Sequence, residues 1–337
     1  MAVSRALLGA PIIPLLIAGA HAQSAESTHA YRYLMGTSIQ IQTFGGDERL
    51  RARAIDETFA VFAEIDRLMS NYREDSELSA VNRRAAAQAV PVSDPLFSVF
   101  QAAQDVSERS NGAFDVTVGP LVALWGFHDK KPHIPTPTEL ATVRPLIGYR
   151  NVMLDADHHT IRFARAGMSI DLGGIAKGFA VELAGNVLRG YGLDGFIDAG
   201  GNQYLVGAPP GKRSWTVGIK SPDVRDRLLG AVDTTETSVS TSSNDANYLT
   251  VGNRTYGHIL DPHTLQPSDA ALSVTIFSRD GTLTDALSKA AFVLGPRAGI
   301  ELIDSIAGVS GVIAYRKADG GLGLALSSRL GKAFHPS

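Results

Sequence analysis

The order of helical and strand patterns along the chain is the feature that most constrains its fold. Apolar residues at helical spacing predict helices over 52–69, 95–109 and 177–190, and the start of another over 288–294. Short strand-like runs lie before, between and after these segments, for example around Ile39 and Ile41 and in the segment GVIAYRK. Because helices and strands do not alternate one for one, a doubly wound parallel sheet is excluded. We predict an α+β fold with largely antiparallel sheets flanked by helices.

Composition and charge narrow the possible functions. The chain has 337 residues, of which 44% are hydrophobic, so it can bury a large core. Lys and Arg number 31 against 34 Asp and Glu, which gives a net charge of −3 and argues against nucleic acid or anionic lipid as a partner. There is no cysteine, which excludes disulfide bonds, thiolate metal sites and thiol catalysis.

The N-terminal segment MAVSRALLGAPIIPLLIAGAHAQ is typical of a signal peptide. One early cation precedes a short apolar run that contains two prolines and ends in small residues, Ala20 and Ala22, at A-x-A spacing. We expect cleavage after Ala22, so that residues 1–22 are the signal peptide and 23–337 form one mature domain. The mature protein is then expected to be periplasmic and soluble. Because there is no cysteine, we also expect no lipid anchor.

The segment SIDLGGIAKGFAVE, Ser169–Glu182, carries the first candidate site. It predicts the end of a strand, a turn at Gly173 and Gly174, and the first turns of a helix. Backbone N–H groups at a helix N-terminus attract anions, and Lys177 adds a cation there. With Asp171 just before the turn, the pattern predicts a phosphate site with an acid beside it. The alternative is an ordinary strand-to-helix turn with a solvated lysine.

Further polar residues stand in otherwise apolar segments, at Asp115, Asp198, His258, Asp261 and Asp285. Each of them also has an ordinary structural interpretation. Asp285 is placed to cap the N-terminus of a helix, and His258 could be a half-buried histidine whose bonds are satisfied. Tyr72 and Phe114 are more often core residues than stacking partners for a ligand. Only their combination indicates a function.

In combination these segments resemble the ApbE family of FAD:protein FMN transferases. The segments that carry the resemblance are MGTSIQI, SNYREDSELSAVN, NGAFDVTVGPLVALWGF, IDLGGIAKGFAVE, IDAGGN, TSVSTSS, GHILDPHT and TDALSKAAFVLG. Each is weak by itself, but all eight are in register between about Tyr31 and about Arg316. The resemblance implies a fold with a ligand cleft between two lobes. It also implies that FMN passes from FAD to a Ser or Thr of a target protein while AMP leaves.

The resemblance also implies roles for individual residues. The residues that it places against FAD are Met35, Tyr72, Ala113, Phe114, Asp115, Asp171, Lys177 and Ile259. It implies that Mg²⁺ binds the diphosphate, held by the carbonyl oxygen of Gly174 and the carboxylate of Asp285. These are the hard oxygen ligands that Mg²⁺ prefers. His258 is implied as the general base for the attacking hydroxyl, a task that suits a side chain with a pKa near neutrality. The expected acceptor is a membrane-associated redox subunit.

Three positions depart from the family pattern. Lys289 stands four residues after Asp285, where the family has a threonine that supplies a further metal oxygen. A charged lysine has only donors and cannot bind Mg²⁺. It could pair with Asp285 and compete with the metal, or extend into solvent while a water takes the ligand place. Leu265 and Ser243 each replace a usual glycine, which affects loop shape.

Two other functions therefore stay open beside the transferase. One is an FAD pyrophosphatase, in which water replaces the acceptor hydroxyl and the products are FMN and AMP. The other is a non-catalytic FAD-binding carrier or assembly factor whose metal site has degraded. His258 and Asp285 favour an enzyme, whereas Lys289 favours the binding protein.

Overall fold

A computed structural model describes residues 26–128, 131, 133–244, 248–251, 254–330 and 333–337. The α-helices are α1 Glu48–Met69, α2 Glu77–Arg84, α3 Asp94–Arg109, α4 Gly119–Trp125, α5 Pro137–Val143, α6 Ala176–Gly190 and α7 Gly281–Ser305. The strands are β1 Ser27–Leu34, β2 Thr37–Phe44, β3 Val90–Pro91, β4 Val152–Asp155, β5 Thr160–Phe163, β6 Asp194–Ala199, β7 Asn202–Val206, β8 Trp215–Lys220, β9 Leu228–Thr234, β10 Thr237–Ser243, β11 Tyr248–Val251, β12 Arg254–Gly257, β13 Leu260–Asp261, β14 Gln266–Pro267, β15 Ser273–Ser278, β16 Ser310–Arg316, β17 Leu322–Leu326 and β18 Phe334–Pro336.

The expected signal peptide, residues 1–22, lies outside the described residues, so its cleavage stays a prediction. Within the described part of the chain, no helix has both the length and the apolar character needed to cross a bilayer.

An eight-stranded sheet forms the centre of the molecule. Its strands follow the order β1-β2-β6-β7-β10-β15-β16-β17, and every neighbouring pair is antiparallel. Three of these neighbouring pairs, β1-β2, β6-β7 and β16-β17, are joined by short hairpin connections, and the other neighbours are brought together from distant parts of the chain. The prediction of an α+β fold with largely antiparallel sheets is therefore confirmed.

Helices α1, α6 and α7 cover one face of the central sheet and enclose the main core. Helix α1 turns Ile55, Phe59 and Phe62 inward, where all three are buried, and β2 contributes Ile39 and Ile41. Burying a side chain of this size stabilises the folded state by about 1.5–3 kcal/mol. Helix α6 lies between α1 and α7 and contacts both. The helical layer therefore fixes where the N-terminus of α6 meets α7.

The opposite face of the sheet carries a second, smaller core. Phe44 of β2 and Phe196 of β6 pack against Trp215, with ring centroids 6.1 and 6.2 Å from the indole. Trp215 opens β8, which belongs to a three-stranded sheet of order β18-β9-β8. The central sheet is thus buried on both faces, by helices on one side and by this small sheet on the other.

Two local predictions were wrong. The segment before the glycine turn, residues 169–172, is not a strand. The N–H of Ile170 bonds instead to the side chain of Asn82, and the N–H of Asp171 bonds to the carbonyl of Val116. Helix α7 begins at Gly281 rather than near Ser288, and its N-cap is Asp280, whose carboxylate accepts the N–H of Leu283. Asp285 is therefore not a helix cap but lies in the second turn of α7.

Candidate functional site

The turn between β1 and β2 places Met35 at one end of the central sheet. Met35 and Gly36 both have positive φ values, 51° and 72°, a conformation that is uncommon for a residue other than glycine. The neighbouring Thr37 packs against the β6–β7 turn, since a Cβ on Gly200 would lie 2.5 Å from its Oγ1. Asp198 stabilises that turn by accepting the N–H of Gly200 at 2.9 Å. Two adjacent turns thus fix the position of Met35.

The segment before α6 is held by hydrogen bonds to two other parts of the chain. Asn82 of α2 accepts the N–H of Ile170 at 2.7 Å and donates to the carbonyl of the same residue at 3.1 Å. Asp171 donates its N–H to the carbonyl of Val116, and its Oδ1 accepts the N–H of Gly173 at 2.7 Å. Asp171 therefore stabilises the shape of the glycine turn, independently of any contact that it makes with a ligand.

Asp115 and Phe114 have different surroundings although they are adjacent. The Asp115 carboxylate accepts the N–H and hydroxyl of Thr117 and the N–H of Tyr149 at 2.6–2.8 Å. Burial raises its pKa, although these bonds oppose the shift. The ring of Phe114 lies against the glycine turn, 3.2 Å from where a Cβ on Gly174 would be. Phe114 thus borders the candidate site, while the Asp115 side chain joins two loops.

Asp285 connects α7 to the first turn of α6. The carboxylate is completely buried, and its Oδ2 accepts the N–H of Gly178 at 2.9 Å. Its Oδ1 accepts a hydrogen bond from the ammonium of Lys289. One N–H that was expected to face an anionic ligand is therefore already paired with a carboxylate. Of the two alternatives for Lys289, pairing with Asp285 is the one observed.

The charges around this contact are coupled. Burial by itself raises the pKa of Asp285, but the positive charges of Lys289 and Lys177 and the hydrogen bonds outweigh it, so the pKa lies below its ordinary value. Burial lowers the pKa of Lys289, and Asp285 opposes that change. Lys177 donates to the carbonyl of Gly173 at 3.1 Å. Two lysines and one carboxylate thus lie together beside the glycine turn.

A chain of buried hydroxyl groups joins α7 to β10 next to Lys289. Ser288 is 2.7 Å from Ser242 and 3.3 Å from Ser240, and Ser238 is 3.0 Å from Thr284. Sequence reasoning did not assign these residues. The sequence did contain a pattern that indicates them, because serines at every second position of a strand share one face. They fix the rotation of α7 and so the direction of Asp285.

His258 begins a loop that is anchored at the end of β10. Gly257 lies so close to Asn244 that a Cβ on it would be 2.0 Å from the amide carbon. Asn244 donates to the carbonyl of Ser268 at 3.0 Å, and Ser268 donates its N–H to the carbonyl of Ile259 at 2.8 Å. His258 is half-buried, and Ile259 is buried in the main core. His258, the predicted base, therefore lies directly after β12 and close to the C-terminal end of β10, the strand whose serines contact α7.

The remainder of this loop packs on the segment around the buried Ala113. His263 lies 2.9 Å from the carbonyl of Asn111, and Trp125 donates to the carbonyl of Leu265 at 3.1 Å. Leu265 has a φ of 62°, the left-handed conformation that glycine adopts without steric cost. Its side chain is fully buried. Leucine thus keeps the backbone shape that a glycine would give and adds apolar contact.

Tyr72 is an exposed aromatic residue near the acid of the glycine turn. Its ring stacks on His128 with centroids 4.5 Å apart and an angle of 24° between the planes. Nearby protein atoms partly shield its hydroxyl from water, which raises its pKa, and the negative charge of Asp171 raises it further. His128 was missed by sequence reasoning. The pair forms an exposed aromatic surface on which a flat ring could stack.

The residues predicted to bind Mg²⁺ do not form a fitting site. Both oxygens of Asp285 are engaged, one by a backbone N–H and one by a cation. A divalent ion at that carboxylate would be repelled by Lys289. In the part of the chain that the structure covers, no group of three or more His, Asp or Glu side chains could hold a metal. The carbonyl of Gly174 alone offers too few ligands.

Comparison with known proteins places this chain in one family. The model of the ApbE family matches residues 35–313. The FAD:protein FMN transferase of Treponema pallidum is 30% identical over 314 residues, 88% of this chain and 86% of the relative. That of Vibrio cholerae is 30% identical over 303 residues, 86% of this chain and 88% of the relative.

Solved structures show the same similarity in three dimensions. The ApbE protein of Thermotoga maritima has a TM-score of 0.82 and 29% identity, covering 90% of this chain and 98% of that one. The flavin transferase ApbE of Vibrio cholerae has a TM-score of 0.81 and 28% identity, covering 91% of this chain and 98% of that one. The similarity thus includes nearly the whole length of both structures.

Proposed function

This chain belongs to the ApbE family, and we propose that it is an FAD:protein FMN transferase. Its substrates are FAD and an acceptor protein with a Ser or Thr hydroxyl. In the reaction, that oxygen forms a bond to the phosphorus of the FMN half. The phosphoanhydride bond breaks and AMP leaves, while the hydroxyl proton passes to a base.

One observation carries this proposal beyond family membership. The ring of Phe114, the backbone of Gly174 and the cations Lys177 and Lys289 meet at the N-terminus of α6. An apolar ring beside two ammonium groups suits a ligand that joins a flat heterocycle to a diphosphate. FAD has both parts.

Each further residue has a role in this proposal. Tyr72, stacked on His128, offers a face for a ring. Met35, Ala113, Ile259 and the backbone of Asp115 complete the ligand contacts that the family resemblance implies. His258 is assigned as the general base, and a base of this kind typically contributes a factor of about 10²–10⁴ to the rate.

Export and the class of acceptor are part of the proposal. The segment 1–22 has the pattern of a signal peptide, which supports a periplasmic location with residues 23–337 as a single mature domain. A membrane-associated redox subunit is then the acceptor that fits a flavin attached outside the cytoplasm. Mg²⁺ dependence, which the family resemblance implies, is not supported by the donors around Asp285, and no step here uses a metal.

One other function is favoured by a specific observation. Lys289 pairs with Asp285, the carboxylate that the family resemblance assigns to the metal, and this pair favours a protein that binds FAD without reacting it. The pyrophosphatase is the remaining outcome of the same assay, since it would release FMN and AMP without modifying the acceptor.

The proposal is tested with mature protein, FAD and two peptides. One peptide carries an acceptor threonine, and the control carries alanine in its place. Mass spectrometry is expected to show an added FMN on the threonine peptide only. Unmodified peptide with FMN and AMP in solution would identify a pyrophosphatase. Unmodified peptide and intact FAD, with FAD bound, would identify a binding protein.

A further inference from the structure

Lys289 supplies a positive charge at the position where the family pattern leads one to expect a divalent cation. We propose that Lys289 and Lys177 form a metal-independent binding site for the diphosphate of a dinucleotide. The inference rests on the proposed function for the identity of the ligand, FAD. It concerns how that ligand's charge is neutralised in this chain.

The geometry leaves the Lys289 ammonium able to contact a ligand. Its methylene groups run past the glycine turn, 3.8 Å from where a Cβ on Gly174 would lie. The side chain keeps 19% of its surface exposed, whereas that of Asp285 is 0% exposed. An ammonium group has three donors, and one of them serves Asp285. The other two donors are the ones that we assign to the diphosphate.

Asp285 has partners that make a metal unnecessary for its burial. An unpaired carboxylate in the interior is costly, so a buried acid needs a cation or several donors. Here Lys289 provides the cation and Gly178 the donor. A divalent ion would have to displace the ammonium from Oδ1 and remain beside it, which Coulomb repulsion opposes.

The net charge also distinguishes a site built with Lys289 from a site that holds Mg²⁺. Lys289, Lys177 and Asp285 sum to +1, from two positive charges and one negative. With a threonine at position 289 and a bound Mg²⁺, the same positions would sum to +2. The built-in cation therefore gives a weaker field, but one that is always present and does not depend on the metal concentration. Chelators should not remove it.

The test measures FAD binding rather than turnover. Calorimetric titration of FAD is run with EDTA and with saturating Mg²⁺, for the wild type and for Lys289→Thr, Lys289→Met and Lys289→Arg. The wild type is expected to bind equally in both buffers. Lys289→Thr should lose about tenfold or more in EDTA, the scale of one charge-assisted contact, and recover with Mg²⁺. Lys289→Met should lose affinity in both buffers, and Lys289→Arg should retain it.

Riboflavin serves as the internal control, because it lacks the diphosphate. Every variant that folds should bind riboflavin like the wild type, which separates loss of charge from loss of structure. The inference is overturned if the wild type needs Mg²⁺ to bind FAD. It is equally overturned if Lys289→Thr binds FAD in EDTA as tightly as the wild type does.

Transfer to the threonine peptide, measured in the same two buffers, separates this inference from the proposed function. FAD binding in EDTA without transfer under any condition would contradict the transferase and support the metal-independent site. Transfer that occurs only with Mg²⁺, together with FAD binding that also needs Mg²⁺, would support the transferase and contradict the metal-independent site. Transfer at equal rates in both buffers supports both.

Discussion

The crossing of α6 and α7 leaves no room for a side chain at Gly178. A Cβ added there would lie 2.1 Å from the carbonyl oxygen of Gly281 and 2.5 Å from the Cβ of Asp285. Real contacts of this kind are more than 3 Å long, so Gly178→Ala must push the two helices apart. The same movement breaks the hydrogen bond from the Gly178 N–H to Asp285.

The expected loss of stability follows from three contributions. Overpacking a close contact costs about 1–3 kcal/mol, and removing a hydrogen bond to a charged group costs about 1.5–3 kcal/mol. Alanine regains about 1 kcal/mol of helix propensity. We therefore expect Gly178→Ala to lower the free energy of unfolding by about 2–5 kcal/mol. For a chain of this length the Tm should fall by about 3–8 °C.

Gly190→Ala is the matched control for this experiment. Gly190 ends the same helix, and a Cβ there would meet no atom within 4 Å. We expect it to leave stability unchanged or raise it by up to about 1 kcal/mol. Urea denaturation and calorimetry of the two variants test the reasoning. It is refuted if Gly178→Ala unfolds within about 0.5 kcal/mol of Gly190→Ala, the range of an ordinary neutral substitution.

Three further changes test other parts of the account. His258→Ala should lower transfer to the acceptor by about 10²–10⁴ in rate while titration shows unchanged FAD affinity; full activity would place the base elsewhere. Burial raises the pKa of Glu182 in the folded protein above its ordinary 4.5. The protonated carboxyl group therefore contributes stability to the folded state that is fully present below pH 4.5 and is lost as the pH rises through the raised pKa. Glu182→Gln should therefore gain stability relative to the wild type between pH 4 and 7 in urea titrations, and a constant difference would contradict this. Ser288→Ala should lower the free energy of unfolding by about 1–3 kcal/mol, because its buried partners lose a hydrogen bond. Ser98→Ala is the control and should be nearly neutral, since Ser98 makes the same type of bond to a backbone carbonyl at an exposed helical position. Equal costs for the two variants would argue against the hydroxyl chain.

The sequence predicted elements that are defined by periodicity. Helix α6 was expected over 177–190 and begins one residue earlier, because apolar residues recur at helical spacing through that segment. The start of α7 was missed because Gly281 and the threonines after it are weak helix formers and show no clear period. Tertiary contacts stabilise that turn instead, since Glu182 accepts the N–H groups of Gly281 and Thr282.

The site was predictable only where its contacts are local. The pairing of Lys289 with Asp285 followed from their spacing of four residues, which places both on one face of a helix. The bond from Gly178 to Asp285 joins residues 107 positions apart, and no local pattern indicates it. The strand expected before the glycine turn failed for the same reason, because the long-range partner of Ile170 is the side chain of Asn82.

The stoichiometry of AMP and modified acceptor tests the central claim most directly. Mature protein is incubated with FAD and the threonine peptide, and AMP, free FMN and FMN-peptide are quantified in the same sample over time. A transferase predicts one AMP for each FMN-peptide formed and no free FMN. AMP that appears with an equal amount of free FMN and no FMN-peptide would contradict the account.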